Sequence, residues 1–391
     1  MKIGRVVRVV KDKSRKEIFN CTDENRTLIM SIFYLADEAC CKGSSALYKD
    51  LYEPNAERFV KESAKSDELK QYINELSTNI FINAPIKNVN DKYPVVIYSP
   101  GFSCDRDSTV FIIEKLVEHG YIVITLGSPY ETAFTIMPNG EVVEMLEELS
   151  NFSSNSKDIW RELIDIRKKD ILFLMDYLEY IDKNDELLEN KLLLNKIGLI
   201  GFSLGSQACF EAAADDERVK AVVLLEGCLH HSTVLERVNR GQKSKTPHML
   251  FKRHASSQSL REEECHSWYK DLEDRDLAEK LIKEQIEIAS EISKTQKALY
   301  EFIDAYKSFV KIENTKHMTF CDIPILSNQQ YEECFGGKIS LKIAYEIIST
   351  ATLKFLNEFL YNNINEYKNF IKYENTYSKL KEINADGEIK E

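Results

Sequence analysis

The chain has 391 residues, 43% hydrophobic and 30% charged, enough to build one large core or two, at roughly 100–200 residues per domain, and unlike a disordered chain. With 64 Asp and Glu against 52 Lys and Arg the net charge is −12, which disfavours binding to nucleic acid. Nine cysteines without a CxxC pattern predict thiols in a reducing compartment, and neither a signal-peptide start nor an apolar run of ~18 residues is visible, so exported and membrane-spanning classes give way to a cytoplasmic protein with no stable membrane insertion.

The first 16 residues carry scattered charge, and the first strand is predicted at Arg26–Tyr34, rich in β-formers. Residues 55–78 show apolar spacings of three and four (Phe59, Leu69, Tyr72, Ile73, Leu76), a helical pattern. Tyr93–Tyr98 is a nearly all-apolar strand that stops at the turn Ser99-Pro100-Gly101. A helix at 108–118 and a buried strand at 121–126 follow, then a long amphipathic helix at 156–183 with Ile164, Ile171, Leu174, Met175 and Leu178 on one side. The strand Lys196–Ile200 runs into Gly201-Phe202-Ser203-Leu204-Gly205, followed by a small-residue helix (Ala208–Ala214) and a strand at Val219–Leu225. Further strands are predicted at 247–251 and 308–312, and a closing helix at 339–360. Short continuous apolar strands alternating with helices imply a mainly parallel sheet covered on both faces.

Residues 256–306 lack strand character and repeat apolar positions at Leu277, Leu281, Ile288, Ile292, Leu299 and Ile303, a helical insertion. Between 256 and 310 stand 8 Lys and Arg against 13 Asp and Glu, the wrong balance for an anionic bilayer, so a lid over a site or a homodimer contact is expected. The expected organisation is a core of 1–255 and 307–363, a helical cap of 256–306 and a charged, fraying tail of 364–391.

The chemistry centres on Gly201-Phe202-Ser203-Leu204-Gly205, a G-x-S-x-G between a buried strand and a helix. Gly201 and Gly205 leave room for a sharp strand-to-helix turn that lifts the serine hydroxyl above the sheet edge, with the helix N-terminus favouring developing negative charge. A nucleophilic serine needs a base, an acid to orient that base, and N–H donors for the oxyanion. Of the seven histidines, His317, in the loop after the last predicted strand, stands where the base belongs in the order serine, acid, histidine. His230 and His231, just past the 219–225 strand, are the alternative bases and otherwise line the pocket, as does Cys104. Glu226 ends the strand neighbouring the serine and is the acid by position and elimination, because the following strand ends in Lys252-Arg253-His254-Ala255. Leu204 N–H is one oxyanion donor; Phe102 N–H is the other, on the reasoning that Gly101 permits an unusual backbone geometry that aims it. No GxxxxGK[ST], GxGxxG or HExxH occurs, and no cofactor or metal is called for.

Tyr93–Gly101 (YPVVIYSPG), Ile197–Gly205 (IGLIGFSLG), Val219–Gly227 (VKAVVLLEG) and His317–Asp322 (HMTFCD) together resemble the platelet-activating factor acetylhydrolase family, plasma and intracellular isoform II, lipase-like enzymes of the α/β-hydrolase superfamily. The resemblance covers about 25–360 outside the insertion. It implies an α/β-hydrolase fold, nucleophile Ser203, acid Glu226, base His317, donors Phe102 and Leu204, and a small-molecule ester with a short acyl group as substrate. The sequence departs from the family pattern in using Glu where Asp is usual, in Pro100 where S-H-G is usual, and in a longer insertion. Glu serves chemically as third member, since it only orients and stabilises the imidazolium, but its extra methylene requires a displaced histidine loop. Two other functions fit the same residues: an acyltransferase, thioesterase or cyclising enzyme using the triad with another acceptor, and a non-catalytic binding protein on a hydrolase scaffold.

Overall fold

Among the described residues, twelve segments of mostly β-branched and aromatic sequence form strands: β1 (Ile3–Lys16), β2 (Asn25–Leu35), β3 (Ile80–Ile82), β4 (Tyr93–Ser99), β5 (Ile122–Leu126), β6 (Phe134–Ile136), β7 (Val142–Glu144), β8 (Leu192–Phe202), β9 (Val219–Leu225), β10 (His248–Lys252), β11 (Lys307–Ile312) and β12 (Leu380–Glu382). The structure is a computed structural model that describes residues 1–20, 23–88, 92–151, 156–327 and 337–390. Ten of the strands make one sheet in the order β12-β11-β10-β9-β8-β4-β5-β2-β1-β3, while β6 and β7 pair as a separate ribbon. From β5 to β11 all neighbours are parallel. β2 joins β5, and β12 joins β11, antiparallel.

Six helices position the site: α1 (Val110–Glu118), α2 (Lys157–Asn184), α3 (Leu204–Asp215), α4 (Gln258–Trp268), α5 (Arg275–Phe302) and α6 (Leu341–Leu360). Strand side chains alternate between two faces. Val96, Tyr98, Val223 and Leu225 pack with α1 and α6 through Leu116, Val117, Ile347 and Phe355. Val95, Ile97, Val222 and Leu224 pack with α2, α3 and the end of α5 through Leu174, Leu178, Phe210, Leu299 and Phe302.

The helical insertion is α4 and α5, and the predicted stripe divides along α5. Ile292, Leu299 and Ile303 are buried and Leu277 is exposed. The C-terminal end of α5 is the crossover that two parallel strands, β10 and β11, require; only the N-terminal half stands out from the sheet.

Three expectations are corrected. Most of the first 16 residues form β1, a long strand whose start, Ile3 to Val6, is buried, Arg5 included, while its end carries many charges. Residues 55–78 are two helices, Ala56–Ser63 and Asp67–Glu75, because Ser66 turns the chain and accepts the Leu69 N–H at 3.2 Å. The described residues 364–390 are not a fraying tail: Tyr367, Phe370, Leu380 and Ile383 are buried and β12 closes the sheet edge, Leu380 opposite Ile312. Charged neighbours had masked the widely spaced apolar residues that anchor it.

Candidate active site

Ser203 sits between the end of β8 and the first residue of α3 with φ of 51°. A side chain at Gly201 would place its Cβ 2.4 Å from Gly205 O, and one at Gly205 would lie 2.1 Å from Ser99 O. Only glycine lets the turn close this tightly against the end of β4. Ser206 Oγ donates to Gly201 O at 2.6 Å and braces the turn from within the helix.

His317 opens a 3₁₀ turn, His317–Phe320, five residues after β11. Its Nε2 is 3.0 Å from Ser203 Oγ, a hydrogen-bond distance. The ring lies 5.0 Å from that of Phe202. The loop is anchored behind: Asp322 Oδ2 accepts from Val110 N at 2.7 Å, at the start of α1, and from Tyr48 Oη at 2.9 Å. Burial nevertheless raises the Asp322 carboxyl to about 7.

Glu226 follows β9 directly, has φ of 48° and is fully buried. Its Oε1 lies 4.0 Å from His317 Nδ1. Oε2 accepts the Arg253 N–H at 2.6 Å, and Oε1 meets Arg253 Nη1 at 3.3 Å, Arg261 Nη2 at 3.6 Å and Lys252 Nζ at 3.7 Å. Burial by itself would raise this carboxyl; Lys252, His317, Arg253 and Arg261 outweigh it and hold it well below the usual carboxylate range. Three cations around the carboxylate were not foreseen, although the Lys252-Arg253 pair at the end of the adjacent strand was their signal.

A cavity of about 260 Å³ opens at Ser203 and Leu204 between Phe102, Trp160, Cys228 and Ile288. His230 and His231 line it as well. Burial lowers them to about 4 and about 3 respectively. His230 Nδ1 is 2.9 Å from Cys228 O, and the His231 ring stacks on Trp160 at 5.7 Å; it is His317 that meets the serine. Cys104 does not line this cavity. It is buried beneath the turn, its N–H on Gly101 O at 3.2 Å and its thiol beside that of Cys321, and Cys228 occupies the wall instead.

Phe102 and Leu204 flank the serine, and Leu204, as first residue of α3, has an N–H beyond the reach of the helix's own carbonyls. The reason given for Gly101 is corrected. Its backbone is not left-handed; Ser103 takes that conformation, with φ of 65°. Gly101 is needed for space, since a Cβ there would lie 2.9 Å from the Phe202 ring.

Arg167 of α2 was also missed. It is buried, donates from Nη1 to Pro100 O at 2.5 Å, reaches Gly101 O at 3.5 Å with Nη2, and pairs through Nε with Glu131 at 2.8 Å. A charged residue set between Ile164 and Ile171 on an apolar stripe was the signal that could have found it.

Among the described residues no group of three metal-ligating side chains converges, and no helix is long and apolar enough to cross a membrane.

The family model for platelet-activating factor acetylhydrolase, isoform II, matches residues 16–382. A probable 1-alkyl-2-acetylglycerophosphocholine esterase of Arthroderma benhamiae is 24% identical over 163 residues, 41% of this chain and 38% of that protein. The matched stretch therefore spans well under half of that relative's length. The solved ferulic acid esterase from Streptomyces cinnamoneus superposes with a TM-score of 0.69 at 19% identity, covering 93% of this chain and 91% of that one. That likeness shows the fold, an α/β-hydrolase.

Proposed function

Since the chain belongs to the platelet-activating factor acetylhydrolase isoform II family, we propose that it is a serine esterase acting on a small carboxylic ester with a short acyl group, through Ser203, His317 and Glu226. The observation that carries this reading is the 3.0 Å approach of His317 Nε2 to Ser203 Oγ at a strand-to-helix turn.

In the reaction, Ser203 Oγ attacks the acyl carbon while His317 Nε2 takes the hydroxyl proton. The carbonyl π pair moves to oxygen, where the Phe102 and Leu204 N–H groups receive it. When the pair returns, the C–O bond to the alcohol breaks and the alkoxide takes the proton from His317, leaving an acyl-serine. Water, deprotonated by His317, then attacks the acyl carbon; Ser203 Oγ departs with that proton and the carboxylic acid is released. Glu226 opposes the charge that His317 acquires.

The cavity volume of about 260 Å³ lies below the usual range for drug-sized ligands and suits a short acyl group. The acetyl ester in the fungal relative's name points the same way. Gln285 and Ile288 of α5 stand on the cavity wall, and we assign to this half-helix the role of a lid that limits substrate bulk.

A fluorophosphonate probe and a series of p-nitrophenyl esters test the proposal. Labelling confined to Ser203, turnover that is fastest with acetyl and propionyl esters, and loss of both in Ser203→Ala are expected. Intact wild-type protein that neither labels nor turns over would reduce the chain to a binding scaffold. Transfer of the acyl group to an added alcohol in preference to water would make it an acyltransferase.

A further inference from the structure

We propose that Arg167 is a positioning residue that aims the Phe102 N–H into the oxyanion site by holding the two carbonyls before it. The inference rests on the esterase reading and extends it to a residue outside the triad. In a trans peptide the C=O of one residue and the N–H of the next point to opposite sides. With Gly101 O drawn towards Arg167 Nη2 at 3.5 Å, the Phe102 N–H faces away from Arg167. The stronger bond, Nη1 to Pro100 O at 2.5 Å, fixes the preceding peptide plane, so one planar fork holds two successive carbonyls, Gly101 O being shared with the Cys104 N–H at 3.2 Å. Glu131, fully buried, holds the guanidinium from behind through Nε at 2.8 Å.

The same helix grips the side chain of Phe102. Trp160 lies seven residues, two helical turns, before Arg167, which places both on one face of α2. Its ring meets that of Phe102 edge-on at 5.1 Å. The helix thus clamps the turn by ring and by backbone. Position matters here because a donor stabilises the oxyanion only at hydrogen-bond distance from where the charge develops, and losing one costs on the order of 10²–10³ in kcat.

Two variants test this. Arg167→Lys keeps a charge beside Glu131 and loses the fork. Arg167→Met combined with Glu131→Gln removes both charges and so avoids an unpaired buried carboxylate, the common reason for misfolding. Rates are measured per fluorophosphonate-reactive Ser203, on p-nitrophenyl acetate and on its thiono analogue, O-(p-nitrophenyl) thioacetate. Sulfur is a large, poor hydrogen-bond acceptor, so well-aimed N–H donors favour the oxygen ester. The expected result is a ~10²-fold fall in kcat for the ester in the double variant, a smaller fall in Arg167→Lys, KM little changed, and a thionoester rate that falls far less. The ester-to-thionoester ratio therefore collapses. An unchanged ratio overturns the proposal, whether both rates fall together, as a merely structural role would give, or neither falls. Wild-type protein that fails to label or turn over would overturn the esterase reading with it, and is distinguished by that wild-type measurement.

Discussion

Ser203 and Glu226 follow directly on Phe202 and Leu225, which are paired neighbours in adjacent parallel strands, and both residues take positive φ, 51° and 48°. The Ser203 N–H donates to Leu225 O at 3.1 Å and the Glu226 N–H to Phe251 O at 3.0 Å. The ladder therefore reaches one step past each strand before the chain turns left-handed, a conformation that costs a non-glycine residue roughly 1–3 kcal/mol. The surrounding sheet imposes it at both positions, and both turns serve the same crevice at the C-terminal strand ends.

Glu226→Gln should lower kcat by about 10³ or more, since the imidazolium loses its counter-charge. It should also lower Tm, because Lys252, Arg253 and Arg261 are left without the carboxylate they surround. The folded-state pKa of Glu226 is depressed, so its stabilising contribution is present above the ordinary carboxyl range and is lost as pH falls through the lowered value. Thermal melts of both proteins between pH 3 and 8 check this. The Tm gap should narrow at the acid end; a constant gap would contradict the charge argument.

The base is tested by comparing three substitutions. His317→Gln should abolish turnover, while His230→Gln and His231→Gln should change it less than tenfold, chiefly through cavity shape. Only a neutral imidazole can take the serine proton, and His230 and His231, held at about 4 and about 3 by burial, would become neutral only in that acid range. A rise confined to pH 3–4, together with an active His317→Gln, would move the role to the pair on the cavity wall.

Asp322 gives a pH-dependent stability of opposite sign. Its folded carboxyl is raised to about 7 by burial, so its stabilising contribution is fully present below the ordinary carboxyl range and is lost as pH rises through about 7. Asp322→Asn retains an acceptor oxygen for Val110 N and Tyr48 Oη. Relative to wild type, the variant should gain several degrees of Tm between pH 5 and pH 8, with esterase rate little altered. A Tm difference that does not change with pH would refute the assignment.

The lid role of α5 is tested at one residue, because removing the whole insertion would strip Leu299, Phe302 and Ile303 from the sheet core. Ile288 is half-buried and lines the Ser203 cavity. Ile288→Ala should cost less than a core truncation, under about 2 kcal/mol, and should shift the acyl-length optimum upwards by one or two carbons. Unaltered selectivity, combined with a change in sedimentation on substituting exposed Leu277, would instead make the outer half of α5 a dimer contact.

Much of this was legible in the order of residues. Continuous apolar runs marked β4, β5, β8, β9, β10 and β11, because a strand buried on both faces must be apolar throughout. The glycines around Ser203 announced a tight turn, and the positions of Glu226 at the end of β9 and of His317 beyond β11 followed from the geometry of parallel sheets. Local sequence could say this much because each of those signals is a requirement of the element that carries it.

What lay outside it depended on partners distant in the chain. β1 and β12 are strands only because a neighbour was there to pair with: β1 runs against β2, and β12 against β11. The cations around Glu226 come from β10, the residue after it and α4, and the hold on the Pro100-Gly101 turn comes from Arg167, 66 residues beyond Gly101. A buried charge is tolerated only when the fold brings its counterpart, and the identity of that counterpart is a property of packing, not of periodicity. The sequence by itself determined the sheet, the turn and the residue types of the site; the tertiary structure decided which buried charges meet, which carbonyls Arg167 holds, and which residues of the insertion line the cavity at Ser203.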